Sequence, residues 1–350
     1  MSELLPSNTD AILGGQTPPP VNAAVLGGVA GAKQQIAREW GLSDGLVTCA
    51  RFETVFVNDN AEIIEQQQKE VFCYTVDING VSLEMVYVPA GNFAMGGIPH
   101  SGNQPAYQLV QPIHLVTLES FFIGKYHVTQ KQYLALMGTN PAYFKGNDRH
   151  PVEEVSWQDA MEFCRRLSEL TNKNFTLPSE SQWEYACRAG TDTNFYFGRE
   201  INSELVNFDN LTNDKYARGR SICRTTPVGI YPPNSWCLYD MHGNVRDWCL
   251  DTYHHGYIGA PSDGSAWLEV DRNDYNNRDS WNYHSFRGGS WNDTGEMCAS
   301  YQRGFIANNS HTRQNGFRVC MVLNSDARSD ILPPIQINGN YEDYEEYEEE

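Results

Sequence analysis

No stretch of this 350-residue chain reaches the roughly eighteen consecutive apolar residues that a membrane-spanning helix needs. Its opening, MSELLPSNTDAILGG, also lacks the basic segment and apolar run of a secretory signal, so a cytoplasmic location without membrane insertion is expected. Basic charge is scarce: 25 Lys and Arg against 44 Asp and Glu leave a net charge of −19 and a pI near 4.8. Nucleic acids and anionic membranes both demand clustered Lys and Arg, so neither is expected as a partner. The nine cysteines fall singly, with no C-x-x-C pair, which argues against a zinc ribbon or a disulfide framework and for buried thiols. A P-loop, a G-x-G-x-x-G fingerprint and an H-E-x-x-H pair are absent as well, and with them the phosphate, dinucleotide and zinc-protease chemistries they carry. What is present is 12% aromatic residues, 29 Gly and 17 Pro, the composition of a loop-rich globule rather than a helical bundle.

The first 35 or so residues hold a short echo, Ala11-Ile12-Leu13-Gly14-Gly15 and Ala24-Val25-Leu26-Gly27-Gly28, around Pro18-Pro19-Pro20. Proline stiffness and glycine breaks predict a linker or docking arm there, and residues 1–75 are expected to form an arm with short elements. A short helix over 32–40 and strands over 52–57 and 70–76 are predicted within it, flanking the polar runs 58–60 and 66–68. The main domain is expected to begin near Val76, where Asn79-Gly80 offers a tight turn before the alternating residues 81–89. Further strands are predicted at 114–118 and 121–124. Capping pairs Thr129/Gln132, Ser156/Asp159 and Ser179/Gln182 then open three helices. Ala160, Phe163, Cys164, Leu167 and Leu170 give the middle helix a core-facing stripe. From 190 to 285 helical period disappears, and a loop of that length needs an ordering agent such as a metal. Residues 326–350 end in tyrosines alternating with carboxylates, a self-repelling tail expected to be disordered, with an interaction tag as the alternative.

Residues 286–320, FRGGSWNDTGEMCASYQRGFIANNSHTRQNGFRVC, are framed by two rigid ends. Paired glycines precede Trp291, an aromatic anchor, and Gly316-Phe317-Arg318-Val319 closes the stretch with strand-like alternation. The residues between follow neither helical nor strand period and read as surface. GGSW, Cys298, Ser300, Arg303 and GFRV, together with LEMVYVPAGNFAMGG, VSWQDAMEFCRRLSEL and LPSESQWEYACRAG, resemble the formylglycine-generating-enzyme and sulfatase-modifying-factor family. The resemblance implies an α+β, C-type-lectin-like fold over about 76–325, with two or three helices around short antiparallel strands and much irregular structure.

Within that family two readings part. The oxidases hold copper with two cysteines five residues apart, the first of them three positions after GGS. Here Asp293 stands in the first position and only Cys298 remains, so no copper is expected. The resemblance is greater to the variable proteins of bacterial diversity-generating retroelements, which display a hypervariable ligand site on this fold. That reading makes Asn292, Asp293, Thr294, Glu296, Met297, Tyr301, Gln302, Phe305, Ile306, Ser310, Thr312 and Gln314 the ligand-binding set, with an unknown protein or small molecule as partner. Such proteins diversify at adenines. Asn-type codons can yield Asp293, Thr294, Tyr301, Gly304, Phe305, Ile306 and Ala307, whereas Glu296, Met297, Gln302 and Gln314 need Lys-like codons. Tyr301 and Phe305 would be rigid aromatic anchors beside adaptable polar contacts.

DMHGNVRDW resembles the family's calcium-binding turn, which implies Ca2+ held by the Asp240 and Asp247 carboxylates and the Gly243 and Val245 carbonyls, an all-oxygen set for a hard cation. The family usually carries Trp and Glu where this chain has Arg246 and Asp247, and the alternative is an Asp247–Arg246 pair. Asn207 and Phe208 match the start of a second calcium site whose distal carboxylate aligns with Arg220, leaving Asp209 or Asp214 as substitutes. His254, His255 and His284 lack companions at ligand spacing and read as solvated or core-satisfied. The rival functions are a formylglycine-type or other oxidoreductase and a structural adaptor whose tail and arm recruit partners.

Overall fold

The computed structural model describes residues 28–43, 45–98, 109–210, 221–269 and 282–323; the proline-flanked N-terminal echo and the acidic tail lie outside them. α1 (Gly28–Glu39) buries Ala32, Ile36 and Ala37 and leads into β1 (Val47–Val57), which pairs antiparallel with β2 (Ile63–Ile78) from Val47↔Tyr74 to Val57↔Ile63. Asn79 and Gly80, with φ of +51° and +86°, reverse the chain as a two-residue hairpin requires and bring β3 (Val81–Val88) onto β2. Val76 therefore lies inside a strand, and the sheet reaches back to Val47. The residues expected as an arm with short elements carry two long strands. Gln66, Gln67 and Gln68, read as a break, pair with Val55, Thr54 and Glu53, and Gln68 donates to the Glu53 carboxylate at 2.9 Å. Cross-strand pairing there outweighs the low strand propensity of a polar run.

β4 (Gly91–Met95) and β5 (His114–Leu118) form a separate two-stranded ribbon, and β6 (Phe121–Gly124) joins β3. The three capping signals hold: α2 (Gln130–Met137), α3 (Trp157–Thr171) and α4 (Glu180–Arg188) each begin on a reciprocal capping box at Thr129, Ser156 and Ser179. α2 ends at Gly138 with φ +79°, where a left-handed residue closes the last turn. β7 (Phe175–Thr176), β8 (Arg246–Thr252), β9 (Tyr283–Arg287), β10 (Arg303–Ala307), β11 (Asn315–Gly316) and β12 (Cys320–Met321) complete the α+β architecture. A six-stranded sheet runs β1-β2-β3-β6-β12-β7, and a four-stranded sheet runs β10-β9-β8-β11. No helix among the described residues is long and apolar enough to cross a membrane.

α4 sits where the sheets converge, and its acids reach into them. Glu184, fully buried, accepts from Arg188 Nε at 2.9 Å, from the Gly96 amide at 3.0 Å and from Arg287 Nη2 on β9 at 2.7 Å. Glu180 accepts from Arg303 on β10 at 3.0 Å and lies 3.2 Å from Arg287 Nε. Such charges stay buried only while every partner is in place. Glu184→Gln is accordingly expected to lower unfolding stability by about 3–5 kcal/mol, the cost of stranding a buried guanidinium, measured by denaturant titration. A loss below about 1 kcal/mol would show that the network is dispensable.

Candidate functional site

Arg287 ends β9, and the chain then turns through Gly288 and Gly289, whose φ values of +90° and +68° suit glycine alone. A Cβ on Gly289 would stand 2.6 Å from Cys298 Sγ, so the paired glycines admit the sulfur against the backbone. Cys298 is fully buried. Burial first, and then the Asp293 carboxylate, push its thiol well above the ordinary value, which suppresses the thiolate that a soft metal needs.

Asp293 itself is committed elsewhere. Arg246 grips it with Nε–Oδ2 at 2.8 Å and Nη2–Oδ1 at 2.5 Å, and Ser290 Oγ donates to the same carboxylate at 2.7 Å. Asp293 and Arg246 thus form one ion pair, whose guanidinium also lies 4.5 Å over the Phe286 ring. Arg246 and Asp293 are 47 residues apart, and no sequence period links them.

The framed stretch divides into three parts. Asn292, Asp293, Thr294, Glu296 and Met297 lie at or near the surface, and so do Phe305, Ile306, Ser310, Thr312 and Gln314. Between these groups the chain dives inward. Tyr301 and Gln302, expected as surface contacts, are only 3% and 5% exposed. The Tyr301 ring packs on Gly97, where a Cβ would stand 2.4 Å from Tyr301 Cγ, and it belongs to a buried cluster with Val110 and Cys298. Gln302 lends its carbonyl to Arg287 at 3.1 Å. Trp291, expected as a buried anchor, is half-buried; its indole donates to the Arg313 carbonyl at 2.9 Å and meets Phe144 edge-on at 5.3 Å. Phe305 remains an exposed aromatic at 45%, stacked on Tyr253 at 3.9 Å.

In the expected calcium turn, Asp240, Gly243, Val245 and Asp247 are all buried. Asp247 pairs with Arg318, not Arg246: its Oδ2 accepts from Arg318 Nε at 2.7 Å and Trp183 Nε1 at 2.9 Å, with His127 Nε2 3.5 Å away. Burial opposes that charge, but Arg318 and then His127 hold the carboxyl far below its usual range. Asp240 accepts from the Gly229 amide at 2.9 Å, and burial raises its carboxyl. At the second turn Asn207 Nδ2 donates to the Arg224 carbonyl at 2.9 Å; Asp214 and Arg220 lie outside the described residues.

His284, His254 and His242 are satisfied rather than poised. His284 Nδ1 meets the Asp251 carbonyl at 3.1 Å, its ring stacks on Trp157 at 3.8 Å, and burial lowers its pKa to about 4. His254 bonds the Thr252 and Glu269 carbonyls at 2.9 and 2.6 Å. His242, absent from the sequence reading, lies 3.8 Å from Cys187 Sγ. Its Nδ1 is spent on the Cys298 carbonyl at 2.7 Å, its Nε2 accepts from the Tyr196 amide at 3.1 Å, and burial takes its pKa to about 3. A neutral ring with both nitrogens occupied is a structural joint, not a base. GLSDG, residues 41–45, has G-x-S-x-G spacing but runs from helix to strand, the reverse of the order a nucleophile elbow needs.

A C-type-lectin-like α+β domain with a framed, partly exposed stretch is the class these features define. Residues 80–323 match the family of Sulfatase-modifying factor enzyme 1-like domains, and the chain belongs to it. PvdO from Pseudomonas aeruginosa superposes with a TM-score of 0.58 at 30% identity, over 71% of this chain and 98% of that one. Treponema denticola variable protein 1 does so with a TM-score of 0.57 at 25% identity, again over 71% and 98%. Chaperone protein LppX of Paenibacillus barcinonensis is 31% identical over 52% of this chain and 76% of its own length. Formylglycine-generating enzymes also match, the mouse protein at 26% identity over 49% of this chain and 59% of its own length.

The division of the stretch has a direct consequence for stability. Tyr301→Ala should cost about 3–5 kcal/mol, as truncation of a buried aromatic does, whereas Phe305→Ala should cost under about 1.5 kcal/mol, the worth of one exposed stacking contact. Equal shifts in the two unfolding midpoints would contradict the assignment of inside and outside.

Proposed function

We propose that this domain is a ligand-binding variable protein, in which exposed positions of 292–314 meet the ligand and buried positions hold the scaffold. One observation carries the reading: the stretch presents Asn292, Phe305, Asn309, His311 and Arg313 outward, while Ser300, Arg303 and Asn315 within or beside it are interior. Such an arrangement lets outward side chains change without touching the core. The likeness to a Treponema denticola variable protein supports it. So does the Arg246–Asp293 pair, which replaces the thiol a copper oxidase would use by a carboxylate already neutralised. On this reading the domain has no oxidase activity, binds a protein or small molecule, and works in the cytoplasm.

The test is at the gene. Its locus should carry a reverse transcriptase and an imperfect repeat whose differences fall at adenines in codons for the outward positions. A locus without the repeat, or one whose differences fall evenly on buried and exposed codons, would refute the proposal. Formylglycine formed on a cysteine-containing sulfatase peptide, with or without copper, would do so equally.

We propose further that Asp240 and Asp247, with the Gly243 and Val245 carbonyls, hold a calcium ion. The donor set fits: Asp247 Oδ1 is a buried carboxylate oxygen with no hydrogen-bond partner among the described residues, although Arg318 and Trp183 take Oδ2. Hard oxygen ligands suit this cation. Its part would be to order the long irregular connection ahead of β8. Excess chelator should lower the melting midpoint by about 5 °C or more, since a ligand at a hundredfold over its Kd contributes ~2.7 kcal/mol. An unchanged curve, with no calcium found by elemental analysis, would remove the site.

A further inference from the structure

Beside the outward positions lies a cavity of about 480 Å³ lined by Pro141, Ala142, Tyr143, Lys145, Glu154 and His311. We propose that this cavity is a constant anion-binding subsite of the display face, taking a side-chain carboxylate from an acidic protein segment. The inference rests on the display reading and adds to it a ligand class.

Its charge is unusual for this chain. Against a net charge of −19, the cavity brings Lys145 and the adjoining Arg313 beside Glu154, with His311 held on Asp159. Arg313 Nε is 3.6 Å from Glu154, a long contact, and His311 is tied to Asp159 at 3.0 Å. Lys145 is exposed and donates to the Asn140 carbonyl at 2.7 Å. Its ammonium thus has no ion pair at the mouth among the described residues. The Arg313 guanidinium stands 3.5 Å from the centre of the exposed Tyr143 ring, which places a second cation at the same rim.

The wall of the cavity is held from behind. Glu153, fully buried, accepts the Phe144 amide at 2.7 Å, and Gln130 Nε2 donates to the Phe144 carbonyl at 2.8 Å. Glu154 keeps a left-handed φ of +57°, with its amide on the Thr312 carbonyl at 3.0 Å. Tyr143 and Lys145 are thereby preorganised, and they lie outside the framed stretch. Changes among residues 292–314 would choose between acidic partners, while Lys145 would keep the preference for acids.

The experiment uses the full chain and two fluorescein-labelled peptides, EYEEYE and its QYQQYQ counterpart, in an anisotropy titration. The acidic peptide should bind more tightly by about tenfold, and Lys145→Ala should remove about as much, the worth of one charge-assisted hydrogen bond. Lys145→Arg should retain binding, and added salt should weaken it. Melting curves of the variants should match the parent, since Lys145 is exposed. Equal binding of both peptides, no binding of the acidic one at millimolar concentration, or full affinity in Lys145→Glu would overturn the subsite. Loss of binding on replacing Asn292 and Phe305, with Lys145→Glu unaffected, would overturn the subsite alone and leave the display reading standing.

Discussion

Three arginines inside the framed stretch pin it to the rest of the molecule. Arg287 reaches Glu184 and Glu180 on α4, Arg303 reaches Glu180, and Arg318 reaches Asp247 on β8. All three are at most 4% exposed. An unpaired guanidinium at such depth is untenable, so the chain has one way to place residues 287, 303 and 318 at once. Two separate systems are joined by Trp183, which donates to Asp247 and lies 5.7 Å from the Arg287 guanidinium. Helix, both large sheets and the stretch between 287 and 318 are therefore fixed by the same few charges. Buried ion pairs are weak evidence of net stability, but strong determinants of position. That distinction suits the scaffold that the display reading proposes.

The Arg246–Asp293 pair ties together two parts of the chain 47 residues apart. A carboxylate alone beside buried Cys298 would repel the thiolate and lack a counter-charge of its own. With Arg246 in bidentate contact and Ser290 donating, Asp293 becomes a fastening between β8 and the turn after Gly289. Either substitution by itself strands a charge; together they form a compact joint.

Much of this was legible in the sequence where the signals are local. Capping boxes at Thr129, Ser156 and Ser179, the Asn79-Gly80 turn and the strands at 114–118 and 121–124 depend on residues within four positions of each other, and all were found where they were read. What escaped depends on partners far along the chain. The Gln66–Gln68 run became strand because β1 supplies its pairing, and Tyr301 went inside because Gly97, some two hundred residues earlier, has no Cβ to block it. The alternative to calcium paired Asp247 with its neighbour Arg246, whereas its counter-charge comes from residue 318. The cavity at Tyr143 and Lys145 left no sequence mark, since it exists only where the loop after α2 meets residues 311–313.

Burial also sets a limit on diversity. A position can vary freely only if each admissible side chain meets solvent or a yielding neighbour. Asn292, Phe305 and Asn309 satisfy this, being exposed. Tyr301 does not: its ring fills the space above Gly97 within a closed cluster, so a smaller residue leaves a void and a polar one an unmet hydrogen-bonding group. Gln302 is likewise buried, and its carbonyl is bound to Arg287 whatever side chain stands there. On the display reading proposed above, an adenine-directed process would act on codons without regard to depth. The tolerated sequences would then be narrower at 301 than at 305, with the middle of the stretch a point of constraint between two freer segments.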